Sequence, residues 1–256
     1  MSRDESATVN VMKNNSWFLM NKQSAEVKTR LFCFPYAGGS AAVYRDWARF
    51  LPGSIQVVPV ELPGRGTRLN QPAFSGLSPL IEALAGQIPP LLDLPFSIFG
   101  HSMGATIGFE IARRLRDDHG AEPRRLFVSA RRAPRVPRDR EPTFDLPHDE
   151  FVSKLHRLNG TPSEVLDNAE LMELMMPTLR SDFRLVDTYS YQPGRLLECP
   201  ITAIGGLEDS EVTREKLAPW KEETNGEFSI HMMAGDHFFL RTARAGLLPL
   251  VARLAG

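Results

Sequence analysis

Two kinds of apolar run alternate along this chain. Short, nearly continuous stretches at Arg30–Phe34, Ile55–Val60, Phe96–Phe99 and Leu126–Ala130 predict strands buried on both faces. Between them, Val43–Leu51 and Leu77–Leu92 predict helices, the second broken at Pro89-Pro90. Ala105–Asp118 predicts an amphipathic helix, with Ile107, Ile111, Ala112 and Leu115 on one face. Strands alternating with helices imply a mostly parallel sheet with helices on both faces, an α/β architecture.

The rhythm stops after Ala130. Residues 131–141 are rich in Arg and Pro and read as irregular. Helical patterns follow at Pro147–Leu158, Ser163–Leu166 and Ala169–Tyr189, with no strand signal among them. Strands resume at Ile201–Ile204 and Phe228–Met232, before a final helix near Leu240–Leu254. A helical block between two sheet strands predicts a lid, at about residues 133–192, inserted into one domain spanning 16–256. Such lids exclude water from a site and shape its pocket. Residues 1–15 are polar, lack the apolar stretch of a signal peptide, and predict a disordered lead.

Composition narrows the classes. A chain of 256 residues, 42% hydrophobic, suits one α/β domain with a sizeable core. A net charge of −1 gives no global attraction to nucleic acid or an anionic membrane. The two cysteines, Cys33 and Cys199, fall at predicted strands and form no disulfide or zinc pattern, which fits a reducing, cytoplasmic setting. No 18-residue apolar run predicts a transmembrane helix.

The chemistry begins at Gly100-His101-Ser102-Met103-Gly104, placed between a predicted strand and a predicted helix. The chain must turn sharply there, and two glycines let strand and helix approach closely. That is the nucleophile elbow of an α/β hydrolase, with Ser102 as nucleophile; the bland alternative is a tight strand–helix turn. A serine needs a base, and the base needs an orienting acid. Of six histidines, His237 stands on the loop after the last strand, where parallel sheets place functional groups. His101 lies inside the elbow, His119 at the far end of the helix, His148 and His156 in the lid, and His231 within a strand. The acid should follow Ile201–Ile204, where Asp209 is preferred and Glu208 is the alternative. Asp236, next to the base, reads as a loop-shaping acid. Backbone N–H donors for an oxyanion are expected from Met103, beside the nucleophile, and from Ala37 in the Gly38-Gly39 loop.

Taken together, these motifs resemble the type II thioesterases of polyketide and nonribosomal-peptide synthases. The resemblance runs from about Ser16 and rests on Ser16-Trp17-Phe18, Leu31-Phe32-Cys33-Phe34-Pro35-Tyr36-Ala37-Gly38-Gly39, Leu62-Pro63-Gly64-Arg65-Gly66, the elbow, the Asp209 loop with Trp220 downstream, and Gly235-Asp236-His237-Phe238-Phe239-Leu240. It implies catalysis by Ser102, Asp209 and His237, an oxyanion hole at Ala37 and Met103, and a helical lid. The implied substrate is an acyl group on the 4′-phosphopantetheine arm of an acyl or peptidyl carrier protein, cleared by hydrolysis without metal or dissociable cofactor. The same triad would serve a carboxylic-ester hydrolase or acyltransferase. A non-catalytic carrier-binding module predicts an eroded triad, and none is visible.

Three weaker signals remain. Residues 124–140 hold seven arginines and one acid, Asp139. Arg131, Arg132, Arg135, Arg138 and Arg140 are candidates for steering an acidic carrier; the alternative is pairing with lid acids such as Glu150, Glu164, Asp167, Glu170 and Glu173. Met172, Met175 and Met176 are candidates for an adaptable acyl pocket, against ordinary lid packing. Arg65 and Arg68 read as surface-loop residues rather than entrance residues.

Overall fold

The computed structural model describes residues 16–20, 26–139, 141–161 and 163–256. The expected lead at 1–15 lies outside the described residues. Six strands form one sheet: β1 (Thr29–Phe34), β2 (Ile55–Pro59), β3 (Phe96–His101), β4 (Leu126–Ser129), β5 (Ile201–Gly206) and β6 (Phe228–Met233). Their order is β2-β1-β3-β4-β5-β6, and every pairing is parallel. Beside β2, Phe18 makes an antiparallel bridge with Val60.

Side chains alternate across each strand, so β1 feeds two cores. Phe32 and Phe34 pack with α1 (Leu77–Ala85) and α2 (Met103–His119) on one face. Leu31 and Cys33 pack on the other, with Tyr44, Trp47 and the C-terminal helix. This is the predicted α/β-hydrolase arrangement. Both cysteines are free and buried, Cys199 just ahead of β5.

Between β4 and β5 stand three helices and no strand among the described residues: α3 (His148–Leu158), α4 (Ser163–Leu166) and α5 (Ala169–Asp187). Their boundaries lie close to the sequence expectation, and the end of α3 and the start of α5 are chemically marked. Asn159 ends α3 in the left-handed conformation at φ 57°, and the Asn168 side chain caps α5 by accepting from the Leu171 N–H at 3.0 Å. Phe151, Leu155, Met172, Leu179 and Phe183 give this insertion a small core of its own.

Three expectations change. Residues 43–51 form no α-helix but two 3₁₀ turns, Ala41–Tyr44 and Trp47–Arg49. Ala41, Tyr44 and Trp47 are the buried positions, and a spacing of three is the repeat of a 3₁₀ helix. The C-terminal helix is two, with Ala243 (φ −98°, ψ 27°) separating α7 (Phe239–Thr242) from α8 (Arg244–Ala255); α6 (Arg214–Leu217), which precedes them, is too short to show a period. Arg65 and Arg68 are not surface residues: both are buried, and the Arg68 guanidinium stacks 3.7 Å over the Trp17 ring.

Candidate active site

The turn between β3 and α2 is a single residue. Ser102 holds φ 54° and ψ −113°, a conformation that a side chain rarely adopts, and its N–H is fixed by the Ser129 carbonyl at 2.7 Å. Close approach makes this possible. A Cβ on Gly100 would lie 2.5 Å from the Cα of Ala105, and one on Gly104 would lie 2.6 Å from the carbonyl carbon of Phe34. The strain thus falls on the one residue whose hydroxyl the turn presents.

The loops after β5 and β6 converge on that hydroxyl. His237 Nε2 lies 3.0 Å from Ser102 Oγ, and His237 Nδ1 lies 2.7 Å from Asp209 Oδ2. A carboxylate can only accept, so Nδ1–H donates to it, and Nε2 is left to accept the Ser102 hydroxyl proton. Asp209 is itself held: its Oδ1 accepts from the N–H groups of Glu211 at 2.8 Å and Val212 at 3.0 Å. Its side chain is fully buried, while His237 is 13% exposed. Asp236 shapes the loop, accepting from the Phe238 N–H and from Asn159.

His101 supports His237 from behind. Its Nε2–H donates to the His237 carbonyl at 2.9 Å, so its Nδ1 accepts from the Ser129 hydroxyl at 2.8 Å. Burial, then the neighbouring His237, pushes this imidazole well below the usual histidine range, so it stays neutral.

A cavity opens on Ser102. Tyr36, Ala37 and His237 form its floor, and Leu155, Leu158, Phe183 and Val186 of the insertion form its roof. Met103 stands at the first position of α2, where the N–H has no intrahelical partner. Ala37 faces the same cavity. The methionines expected in the acyl pocket are not brought here. Met172 is buried in the insertion's own core, and Met175 and Met176 pack against that core. α5 turns its Phe183 and Val186 end toward Ser102 instead.

The arginines divide. Arg131 and Arg132 border the cavity. Arg135 pairs with Glu223 at 2.7 Å, and Arg138 pairs with Asp187 at 2.7 Å. The sequence reading missed a buried pair. Arg65 donates to both carboxylate oxygens of Asp182, at 2.6 and 2.7 Å. The available signal was an acid at position 182 between Leu179 and Phe183, on the apolar side of a helix. A charge there needs a partner.

Residues 29–253 match the family model of the thioesterase domain. Linear gramicidin dehydrogenase LgrE of Brevibacillus parabrevis is 43% identical over 92% of this chain and 90% of its own length. Gramicidin S biosynthesis protein GrsT of Aneurinibacillus migulanus is 41% identical over 93% of both. The type II thioesterase BorB from the borrelidin biosynthetic cluster superposes with a TM-score of 0.86 at 35% identity, covering 94% of this chain and 98% of BorB.

Proposed function

This chain belongs to the thioesterase family, and we propose that Ser102, His237 and Asp209 are the triad with which it hydrolyses acyl thioesters held on the 4′-phosphopantetheine arm of a carrier protein. The observation that carries the reading is the unbroken line from the Ser102 hydroxyl through His237 to a carboxylate that is buried and already oriented. The carrier-bound substrate is supported by relatives named for gramicidin biosynthesis and by a type II thioesterase from a biosynthetic cluster. The turn after β1 reads Phe34-Pro35-Tyr36-Ala37-Gly38-Gly39, without the G-x-G-x-x-G spacing that seats a dinucleotide.

In the mechanism, His237 Nε2 takes the Ser102 proton as Oγ attacks the thioester carbonyl. The negative oxygen that develops is received by the N–H groups of Ala37 and Met103, the second near the positive end of α2. The C–S bond breaks, the imidazolium protonates the departing sulfur, and an acyl ester remains on Ser102. Water then attacks that ester, giving its proton to His237, and the carboxylic acid leaves as Ser102 regains its hydrogen. The insertion over residues 133–192 acts as the lid that keeps bulk water from the acyl-enzyme. Its Leu155, Leu158, Phe183 and Val186 contact the acyl chain, in place of the methionines. Arg131 and Arg132 border the cavity and are the arginines offered to the arm's phosphate, whereas Arg135 and Arg138 act mainly by holding their own segment.

The test compares hydrolysis of an acyl carrier protein, the matching acyl-N-acetylcysteamine thioester and the matching oxygen ester, with acid release read by mass spectrometry. The reading expects the carrier substrate to have the highest kcat/KM. Preference for the oxygen ester would overturn it in favour of an esterase.

A further inference from the structure

The loop that carries Ala37 is held in part by the insertion. Gly38 adopts φ +77°, and its N–H donates to Asp182 Oδ2 of α5 at 2.8 Å. Asp182 is in turn locked by the Arg65 fork, and the same Arg65 Nη1 reaches the Gly39 carbonyl at 3.2 Å. Gly39 N–H donates to the Tyr36 carbonyl at 2.9 Å. That carbonyl and the Ala37 N–H belong to one planar peptide unit, so fixing one fixes the direction of the other.

One helical turn before Asp182, Thr178 donates its hydroxyl to the Gly64 carbonyl at 2.8 Å. α5 also presses on the loop without space to spare. A Cβ on Gly38 would lie 2.5 Å from Leu179, and one on Gly64 would lie 2.8 Å from Thr178. Helix α5, the β1 loop and the β2 loop therefore meet at one ion pair whose side chains are 7% and 1% exposed. Removing α5 would take the acceptor from Gly38 and leave Arg65 unpaired.

We propose that Arg65 and Asp182 are positioning residues that aim the Ala37 N–H at the reacting oxygen, so that the oxyanion donor is set only while the insertion is seated. The inference rests on the triad reading above. A structural pair would move stability alone. A positioning pair moves kcat with little change in KM, because the oxyanion exists only in the transition state.

The experiment uses the full chain with an acyl-N-acetylcysteamine thioester. It also uses an alkyl boronic acid, whose tetrahedral adduct on Ser102 mimics the intermediate. Asp182→Asn presents an amide hydrogen where an acceptor is needed, and Arg65→Lys keeps charge without the fork. The double variant Arg65→Met/Asp182→Leu is the most informative, since an apolar pair often replaces a buried ion pair without loss of stability. Deleting an oxyanion donor costs about 10²–10³ in kcat; misaiming one should cost roughly 10–10², with KM within about threefold. Boronate affinity should fall in step with kcat, and Arg65→Lys should be intermediate. If the double variant does not fold, the two single variants carry the test. Wild-type kcat in folded variants, or slower turnover with unchanged boronate affinity, overturns the proposal. Ser102→Ala run alongside separates the two readings: if it is inactive while the clamp variants are fully active, only the clamp falls, and if it still turns over, both fall.

Discussion

Asp209→Asn is the substitution whose outcome the geometry determines most fully. Asp209 Oδ1 accepts from two backbone N–H groups, at 2.8 and 3.0 Å, and Oδ2 accepts from His237 Nδ1. An asparagine has one oxygen and one NH₂. The two N–H groups of Glu211 and Val212 demand an acceptor, so the amide oxygen takes their side. The NH₂ then faces His237 and can only donate. His237 must present a lone pair at Nδ1, which moves its hydrogen to Nε2, the nitrogen that should receive the Ser102 proton. The fold loses little, because each backbone N–H keeps its partner, while the base is held in the wrong tautomer. The matching substitution in serine proteases lowers kcat about 10⁴-fold, or about 5 kcal/mol of barrier. Asp209→Ala is the contrast: it orphans the buried Val212 N–H, at about 1–3 kcal/mol, together with the half-buried Glu211 N–H, and should lower Tm as well as rate. Thiol release from an acyl-N-acetylcysteamine thioester, read with a chromogenic disulfide, gives the rates, and thermal melts give the stability. An Asn variant within tenfold of wild-type kcat would refute the assignment of the acid and return Glu208 to consideration.

Three further outcomes follow from the same structure. Ser102→Ala should abolish turnover at unchanged fold while leaving carrier-protein binding, measured by calorimetry, close to wild type. Gly104→Ala should fail to give soluble, cooperatively melting protein, because its Cβ would press on the backbone carbonyl of Phe34, which no rotamer change relieves. His101 is neutral when folded and has a depressed pKa, so unfolded chains bind more protons than folded ones below pH 6.5, its ordinary value. Stability should therefore fall as pH drops below that value, by up to about 1.4 kcal/mol per unit from this group, and His101→Gln should flatten that slope in denaturant titrations.

What the sequence disclosed and what it hid follow a physical division. Strands such as Leu126–Ser129 announce themselves as short continuous apolar runs because both faces are buried, and helices such as α5 because burial of one face imposes a period. The elbow and the Asp209 and His237 loops were legible for another reason: each sits at a fixed place relative to a strand end. The Arg65–Asp182 pair was not legible, since its members are 117 positions apart and the motif around Arg65 looks like an ordinary glycine-rich loop. The methionines of α5 left two roles open because apolar residues on an inserted helix serve either its own core or the cavity, and only rotation about the helix axis decides which. Short 3₁₀ turns at 41–49 were read as one helix because the spacings of three and of three-to-four overlap over so few residues.

The two buried cysteines acquire a meaning from the product. A thioesterase liberates a thiol at every turnover and works on acyl groups that pass readily to any free sulfur anion. Cys33 sits on β1, the strand that leads into the Ala37 loop, and burial drives its thiol far above its ordinary range; Cys199 is pushed up to about 12, again chiefly by burial. Neither offers a thiolate at neutral pH, so neither would compete with the proposed nucleophile Ser102 for an acyl group or form mixed disulfides with a released thiol.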